Sequence, residues 1–332
     1  MEKVIAVVVT YNRQALLSTC IASLRQQSRP IDAILIINNG STDNTEKWLK
    51  QQEDILFITQ NNTGSSGGFS TGIKWAYQNG FSWVWCMDDD GYPKEDALEN
   101  LLDADDGKLR LLNCAVIDKE NKSSFVWKTQ HYKHIGEVEG KIIEGIGHPF
   151  NGTLLHRRII ERVGVPKPKY FLWGDETEYY YRIVRKNNIP VCTVANSIHY
   201  HPSTSFSIRQ DWDYQSGWKM YFYLRNRFHI HRVKFSLRLI ALLHYCCFLT
   251  AFAGTVLIFQ KTDKFKKLGF IMWPALDAFT YNFEATPAVI LSRLKDRSSF
   301  SLSNTVNSYF RTILSPLFTL FSSQRNRRAA NA

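Results

Sequence analysis

The sequence predicts an α/β protein: a mostly parallel central sheet with helices on both faces, followed by a basic helical region at the C-terminal end. Apolar, β-branched runs alternate with helical patterns over the first ninety residues, the order expected of a parallel sheet. Each run breaks into a polar or glycine-rich cluster. Charge is divided unevenly, with 24 Lys/Arg against 25 Asp/Glu in residues 1–211 and 17 against 5 in residues 212–332. The net charge of +11 over 332 residues thus sits in the last third, and the reading places one domain over 1–211 and a second region over 212–332.

"VIAVVVTYN" is a buried parallel strand ending in a polar turn, and its apolar run is too short for a signal peptide. The helical pattern "QALLSTCIASLRQQS" follows and stops at Pro30. "DAILIINNGSTDNT" gives a second strand and loop, "EKWLKQQ" a short helix, and "ILFITQNNTGSSGG" a third strand with a glycine-rich exit. The helix "STGIKWAYQNG" and the strand "SWVWCMDDD" complete the pattern. Right-handed crossovers then bring all four strand ends to one edge, where ligands of such sheets bind. Clusters Thr10–Arg13, Asn38–Asp43, Asn61–Gly68 and Asp88–Asp90 would share that rim. Residues from about Asp103 to Phe150 are less regular, "KPKYFLWGDETEYYYRIVRKNN" reads as a loop entering a helix, and "IPVCTVANSIHYHPSTS" as a strand with histidines at its exit. Six cysteines without metal-ligand spacing fit reduced core thiols in a cytosolic compartment.

Asp88, Asp89 and Asp90 cannot all stay ionised cheaply without a cation. Alternate side chains of a strand share a face, so Asp88 and Asp90 can converge on one ion, and carboxylate oxygens suit Mg²⁺ or Mn²⁺. A solvated acidic turn closed by Gly91 and Pro93 is the other reading of the same residues. His199 and His201 also share a strand face and can add a nitrogen ligand. "NNTGSSGGFSTG" lets backbone approach a phosphate, or is simply a flexible loop; it lacks the P-loop and dinucleotide fingerprints. In "WGDETEYYYR", Asp175, Glu176 and Glu178 lie beside aromatic residues, which suits a general base, or form a solvated acidic helix start.

"VVVTYNR", "NNGSTDNT", "NNTGSSGGF", "MDDDG", "FNGTLLHRRIIERVG", "FLWGDETEYYYR" and "YFYLRNR" follow one another as in glycosyltransferase family 2, which the chain resembles from about Val4 to Arg227. The resemblance implies a GT-A fold and inverting, metal-dependent sugar transfer with Mn²⁺ or Mg²⁺, and it is nearest bacterial galactofuranosyl- and rhamnosyltransferases. Carried over by position, it implies that Thr10, Tyr11, Arg13 and Asn39 line the nucleotide pocket. Asn62, Gly67 and Gly68 would lie along the diphosphate or donor sugar. Asp88 and Asp90 would hold the metal with His199, Asp89 and Asp88 would contact the donor, and Trp173, Glu178 and His201 would border the acceptor, with His201 the alternative metal ligand. Glu176 would be the base, with Asp175 as the alternative. UDP-galactofuranose is the expected donor and dTDP-rhamnose the runner-up; a catalytically silent sugar-nucleotide binder is the contrasting class.

In the last third, Leu239–Phe259 is an uncharged stretch of 21 residues with bases on both sides. It is long enough to span a bilayer. Same-sign flanks, His244 and two cysteines fit better a helix lying in an anionic leaflet, with a buried bundle helix as the alternative. "KKLGFIMWPALDAF" and "ILSPLFTLF" are further apolar-aromatic segments. No nucleic-acid motif accompanies the basic residues. The expected setting is the cytoplasmic face of a bacterial inner membrane, with a lipid-linked glycan acceptor of lipopolysaccharide O-antigen or galactan type.

Overall fold

The structure, a computed structural model, describes residues 2–203 and 207–295. The strands β1 (Val4–Thr10), β2 (Ala33–Asn38), β3 (Ile55–Thr59) and β4 (Trp83–Asp88) lie in the order β3-β2-β1-β4, every pair parallel. The connecting helices are α1 (Gln14–Arg25), α2 (Thr45–Leu49) and α3 (Gly64–Gln78). This half matches the alternation read from the sequence.

Beyond β4 the sheet becomes mixed. The remaining strands are β5 (Tyr92–Pro93), β6 (Leu111–Asp118), β7 (Ser124–Thr129), β8 (Tyr132–His134), β9 (Ile142–Glu144), β10 (Asn151–His156) and β11 (Val191–His201). Strand β10 runs antiparallel between β4 and β6, β11 is parallel to β6, and the two residues of β5 pair antiparallel with β11 at His199 and Tyr200. Helices α4 (Ala97–Asp103), α5 (Arg157–Val163) and α6 (Asp175–Tyr181) complete this half, with a π-helical turn over Arg182–Lys186.

Period-2 alternation along β1 divides the core. Val4, Ala6 and Val8 pack with Leu17, Cys20, Ile21 and Leu24 of α1, while Ile5, Val7 and Val9 pack with Phe69, Ile73 and Ala76 of α3. Each Val, Leu, Ile or Phe among them contributes roughly 1.5–3 kcal/mol of burial before the entropy of ordering is subtracted. Helix α3 departs from the expected start at Ser70 by beginning at Gly64, so Gly67 and Gly68 are helical rather than part of a loop. A Cβ on Gly68 would lie 2.5 Å from Val9 Cγ1, and one on Gly72 would lie 2.4 Å from Val7 Cγ1. These glycines let the helix axis approach the sheet.

The chain divides into two compact units, Met1–Phe206 with Asn226–His244, and Ser207–Arg225 with Tyr245–Ala332. The elements after β11 are α7 (Trp218–Lys234), α8 (Arg238–Phe259), α9 (Lys264–Thr280) and α10 (Pro287–Lys295). Within the second unit, the buried Lys267 ammonium donates to Asp211 Oδ1 at 2.7 Å and Gln260 Oε1 at 2.9 Å. Gln260 in turn donates to the carbonyls of Ile208 and Gln210, which fixes the chain entering α7. Cys20, Cys86, Cys114 and Cys192 are buried, whereas Cys246 and Cys247 are exposed on α8. The segment "ILSPLFTLF" lies outside the described residues.

The close approach of α3 predicts the sign of one substitution. Alanine at an exposed helical glycine would stabilise by up to about 1 kcal/mol through propensity. Gly68→Ala should instead cost roughly 1–3 kcal/mol from overpacking against Val9, read as a lower urea midpoint with an unchanged slope; a raised midpoint would contradict the packing account.

Candidate active site

Strand register places the polar clusters on one rim. Thr10 pairs with Asn38, Asn38 with Thr59, and Asp88 with Val9, so all four parallel strands end at the same level. The acidic run leaves the buried core at Asp88, and β5 carries the chain from the next residues back along β11.

The three aspartates separate in environment. Asp89 is buried, accepting a hydrogen bond from Thr10 Oγ1 at 2.7 Å and one from Arg13 Nη1 at 3.2 Å. Burial raises its proton affinity, against the pull of Thr10 and Arg13. Asp90 takes a second Arg13 contact at 2.8 Å and lies 3.3 Å from His201 Nε2. Burial works against its charge, but His201 and Arg13 outweigh burial and hold its pKa down to about 2. Asp88 feels the charge of Arg13 too, but this does not offset what opposes it. Burial, then the charges of Asp90 and Asp89, push its pKa well above the ordinary value, and Glu176 is near enough to add to that repulsion.

The two histidines also differ. His199 is fully buried, both ring nitrogens lack a hydrogen-bond partner, and burial lowers its pKa to about 3, so the ring is neutral. A Cβ on Gly91 would lie 2.3 Å from His199 Nε2, so only glycine after the third aspartate leaves room for this ring. His201 donates through Nδ1 to the Pro202 carbonyl at 2.8 Å, which leaves Nε2 to meet Asp90. That contact calls for a second proton or a cation between the two atoms. Trp127 of β7 rests against both His201 and His148, at 5.0 and 5.1 Å between ring centres. Nothing in the sequence pattern singled it out, because it comes from the irregular middle.

Among the described residues, no three His, Cys, Asp or Glu side chains form a ready-made metal cage. The donor set nevertheless fits a divalent cation: carboxylates short of compensating charge, and a neutral imidazole with orphaned nitrogens. Mg²⁺-type sites commonly use one or two carboxylates and take their remaining ligands from water and substrate phosphates.

The segment before α6 is strained. Phe171, Trp173 and Gly174 all have positive φ, at 66°, 55° and 116°, and Asp175 opens the helix directly after them. Asp175 is buried and accepts from Ser65 Oγ at 2.9 Å; burial, then the neighbouring Glu176, raises its pKa well above the ordinary value. Glu176 is half-buried and accepts a 3.3 Å hydrogen bond from the Gly174 N–H. Glu178, expected beside the acceptor, is instead fully buried and engaged by Lys167 at 2.6 Å and Arg182 at 3.1 Å. One helical turn explains the division: Asp175 and Glu178 share the inward face, and Glu176 does not. Trp173 is half-buried and precedes the Asp175 and Glu176 pair by two residues.

On the other flank, Tyr11 is exposed on the rim, but Asn39 is turned inward. Its side chain donates to the Gly64 carbonyl at 2.9 Å and to Asn62 Oδ1 at 3.3 Å, and accepts from Gln60 and the Thr63 N–H. Asn39 thus holds the turn into α3 and is not directed at a ligand. Asn62 caps the same turn by accepting from the Gly64 N–H at 2.9 Å. Gly67 and Gly68, expected along a diphosphate, face Thr63 and Val9, because their lack of a side chain is used for packing.

The family model described as glycosyl transferase family 2 matches residues 5–164. The chain is 28% identical over 216 residues to galactofuranosyltransferase GlfT1 of Mycolicibacterium smegmatis, covering 60% of this chain and 71% of that one. It is 29% identical over 218 residues to GlfT1 of Mycobacterium tuberculosis, covering 61% and 71%. Among solved structures, S. aureus TarS is similar with a TM-score of 0.54 at 12% identity, over 90% of this chain and 54% of that chain. TarS 1-349 gives 0.51 at 12% identity over 93% and 91%. The fold is GT-A, and the chain is a glycosyltransferase resembling galactofuranosyltransferases.

The raised pKa of Asp88 fixes a stability prediction. A folded-state pKa above the unfolded 3.8 gives a contribution that is present below pH 3.8 and lost as pH rises through the folded value. In metal-free buffer, Asp88→Asn should therefore melt above wild type at pH 7, with the gap closing below pH 3.8. Equal melting temperatures at pH 7 would mean that Asp88 carries no such cost.

Proposed function

We propose that this glycosyltransferase uses a divalent cation and moves galactofuranose from UDP-galactofuranose to a lipid-linked acceptor of a bacterial surface polysaccharide, inverting the anomeric centre. One observation carries the reading: the half-buried Glu176 is near enough to Asp88 for its charge to add to that carboxyl's raised proton affinity, which supports a base candidate close to the acidic cluster. The relatives' names support the choice of sugar.

Arg13 and Thr10 hold Asp89 and Asp90 in place, so the rim is set before substrate arrives. Asp88 and Asp90, with His199 or His201, are the residues that would hold Mn²⁺ or Mg²⁺. A cation bound there supplies Lewis-acid neutralisation of the departing diphosphate. Asp175 is buried with a raised proton affinity, and the half-buried Glu176 is the more accessible member of the pair. Glu176 takes the acceptor hydroxyl proton as that oxygen bonds to the anomeric carbon. The carbon–oxygen bond to the nucleoside diphosphate breaks on the opposite face, and the diphosphate leaves with the electron pair. One displacement inverts the centre, by the geometry that governs inverting glycosidases.

The lipid-linked acceptor and the membrane setting are supported by α8. Over its most apolar 18 residues the mean hydropathy is 1.9 and only 17% is buried. Leu239, Leu243, Leu257 and Ile258 are exposed along it. Arg238 and Lys264 mark the first residues of α8 and α9, so bases border the apolar stretch, as on a helix lying in an anionic leaflet.

Turnover of a panel of nucleotide sugars with Mn²⁺ and a lipid-linked acceptor tests the reading, and UDP-galactofuranose should be the preferred donor. Glu176→Gln should lose transfer by about 100-fold or more while donor binding persists. Asp90→Asn should lose transfer too; unchanged transfer in both variants would sink the assignment. Separately, the protein should co-sediment with anionic but not neutral vesicles, weakening with salt. Leu239→Asp combined with Leu243→Asp should abolish that binding, and wild-type binding by this variant would count against α8 as the docking element.

A further inference from the structure

The strained run Phe171–Gly174 is held from two sides. On one side is the N-terminal end of α3, where the Ser66 N–H donates to the Phe171 carbonyl at 3.1 Å. A Cβ on Gly64 would come within 2.0 Å of the same oxygen, so the glycine there permits the contact. On the other side is α7, whose residues Asn226, His229 and Ile230 fall on one face by their i, i+3, i+4 spacing. The His229 ring lies 6.0 Å from that of Tyr170, and the place of a Gly174 Cβ lies 2.8 Å from Ile230 Cδ1.

The centre of this face is Asn226, fully buried, whose single Nδ2 group faces three carbonyls: Tyr170 at 2.9 Å, Leu172 at 3.0 Å and Trp173 at 3.3 Å. An amide that gathers three carbonyls from four consecutive residues fixes the path of the backbone through the two non-glycine positive-φ residues between them. Such conformations are unfavourable for side-chain-bearing residues and persist only where the surroundings over-determine them. The next residues along the chain are Asp175 and Glu176.

We propose that Asn226 is a positioning residue for the acid pair: by clamping the carbonyls of Tyr170, Leu172 and Trp173, it keeps the strained turn in the one path that presents Glu176 and Trp173 to an acceptor hydroxyl. The inference rests on the reading of Glu176 as the base. It assigns to α7 a role in catalytic geometry, although Asn226 touches neither substrate nor the reacting atoms. Losing the clamp lets the turn relax toward ordinary φ values and swings the start of α6, which moves the base relative to the rim. The rim itself is built from β1 and β4 and does not pass through Asn226, so donor binding is expected to survive the change.

The test uses the full chain carrying Asn226→Ala or Asn226→Asp. The aspartate keeps the side-chain shape but sets a carboxylate oxygen against three carbonyls, so it stays informative where the alanine variant fails to fold. Backbone hydrogen exchange over residues 170–176 reads the clamp without any substrate. Steady-state transfer, with the donor and acceptor that wild type turns over, reads its consequence. The expected result is faster exchange in that run with β1 and β4 protected as in wild type. kcat should fall roughly 10–100-fold, with donor KM nearly unchanged. Wild-type exchange over 170–176, a wild-type kcat, or a donor KM that rises in step with the loss of kcat would each overturn the proposal. If wild type itself turns over no nucleotide sugar, the functional reading has failed, and the exchange measurement still decides whether the clamp exists.

Discussion

Like charge at the end of β4 is the constraint around which the first unit is arranged. A strand apolar up to its last residue carries three consecutive aspartates out of the core, and among the described residues one guanidinium, one hydroxyl and one imidazole contact them. Hydrogen bonds and contacts from those groups go to Asp89 and Asp90, whereas at Asp88 the charge of Arg13 is outweighed by burial and like charge. A fold selected for stability alone would replace Asp88, since a buried carboxylate among like charges works against the folded state. On the proposed function, a cation that binds there together with a diphosphate would supply the missing charge.

Much of that half could be read from the sequence. Four buried strands alternating with helices leave one arrangement that buries every apolar face, and the topology then brings each polar strand end to one rim. The register of β1, β2, β3 and β4 follows that expectation. The mixed half was less legible, because β7, β8 and β9 are short and partly exposed and so lack a clear hydrophobic period. Trp127 reaches His201 from that region, and a tertiary contact of this kind leaves no mark in local pattern.

Residue type misled where tertiary context decided its use. Glycines at 67 and 68 suggested a phosphate-approaching loop, yet the lack of a Cβ equally permits a helix to lie against valines, and here packing uses it. Asn39 has the amide expected of a base-reading residue, but its donors and acceptor are engaged within the turn from Gln60 to Gly64. In the acidic run at α6, local pattern alone does not separate the three acids, and helical geometry makes them unequal. Asp175 and Glu178 turn inward, one toward Ser65 and the other into a buried pair of ion pairs. Burying Glu178 between Lys167 and Arg182 adds little net stability but makes losing any one partner costly. It thereby fixes the helix that carries Glu176.

The site therefore stands on two kinds of support. Strand ends define the rim through backbone pairing, which tolerates little displacement because a shift in register would expose the core. Helix α6 instead follows a turn with three positive-φ residues, held by side chains and glycines from elsewhere in the unit. On the proposed mechanism, this asymmetry suits the chemistry. Charge neutralisation needs fixed carboxylates at a rigid edge, whereas the base must meet acceptor hydroxyls delivered on a bulky substrate. A strained turn is the weaker of the two supports, so variation in acceptor geometry would be absorbed there first, and the rim that faces the donor would keep its shape.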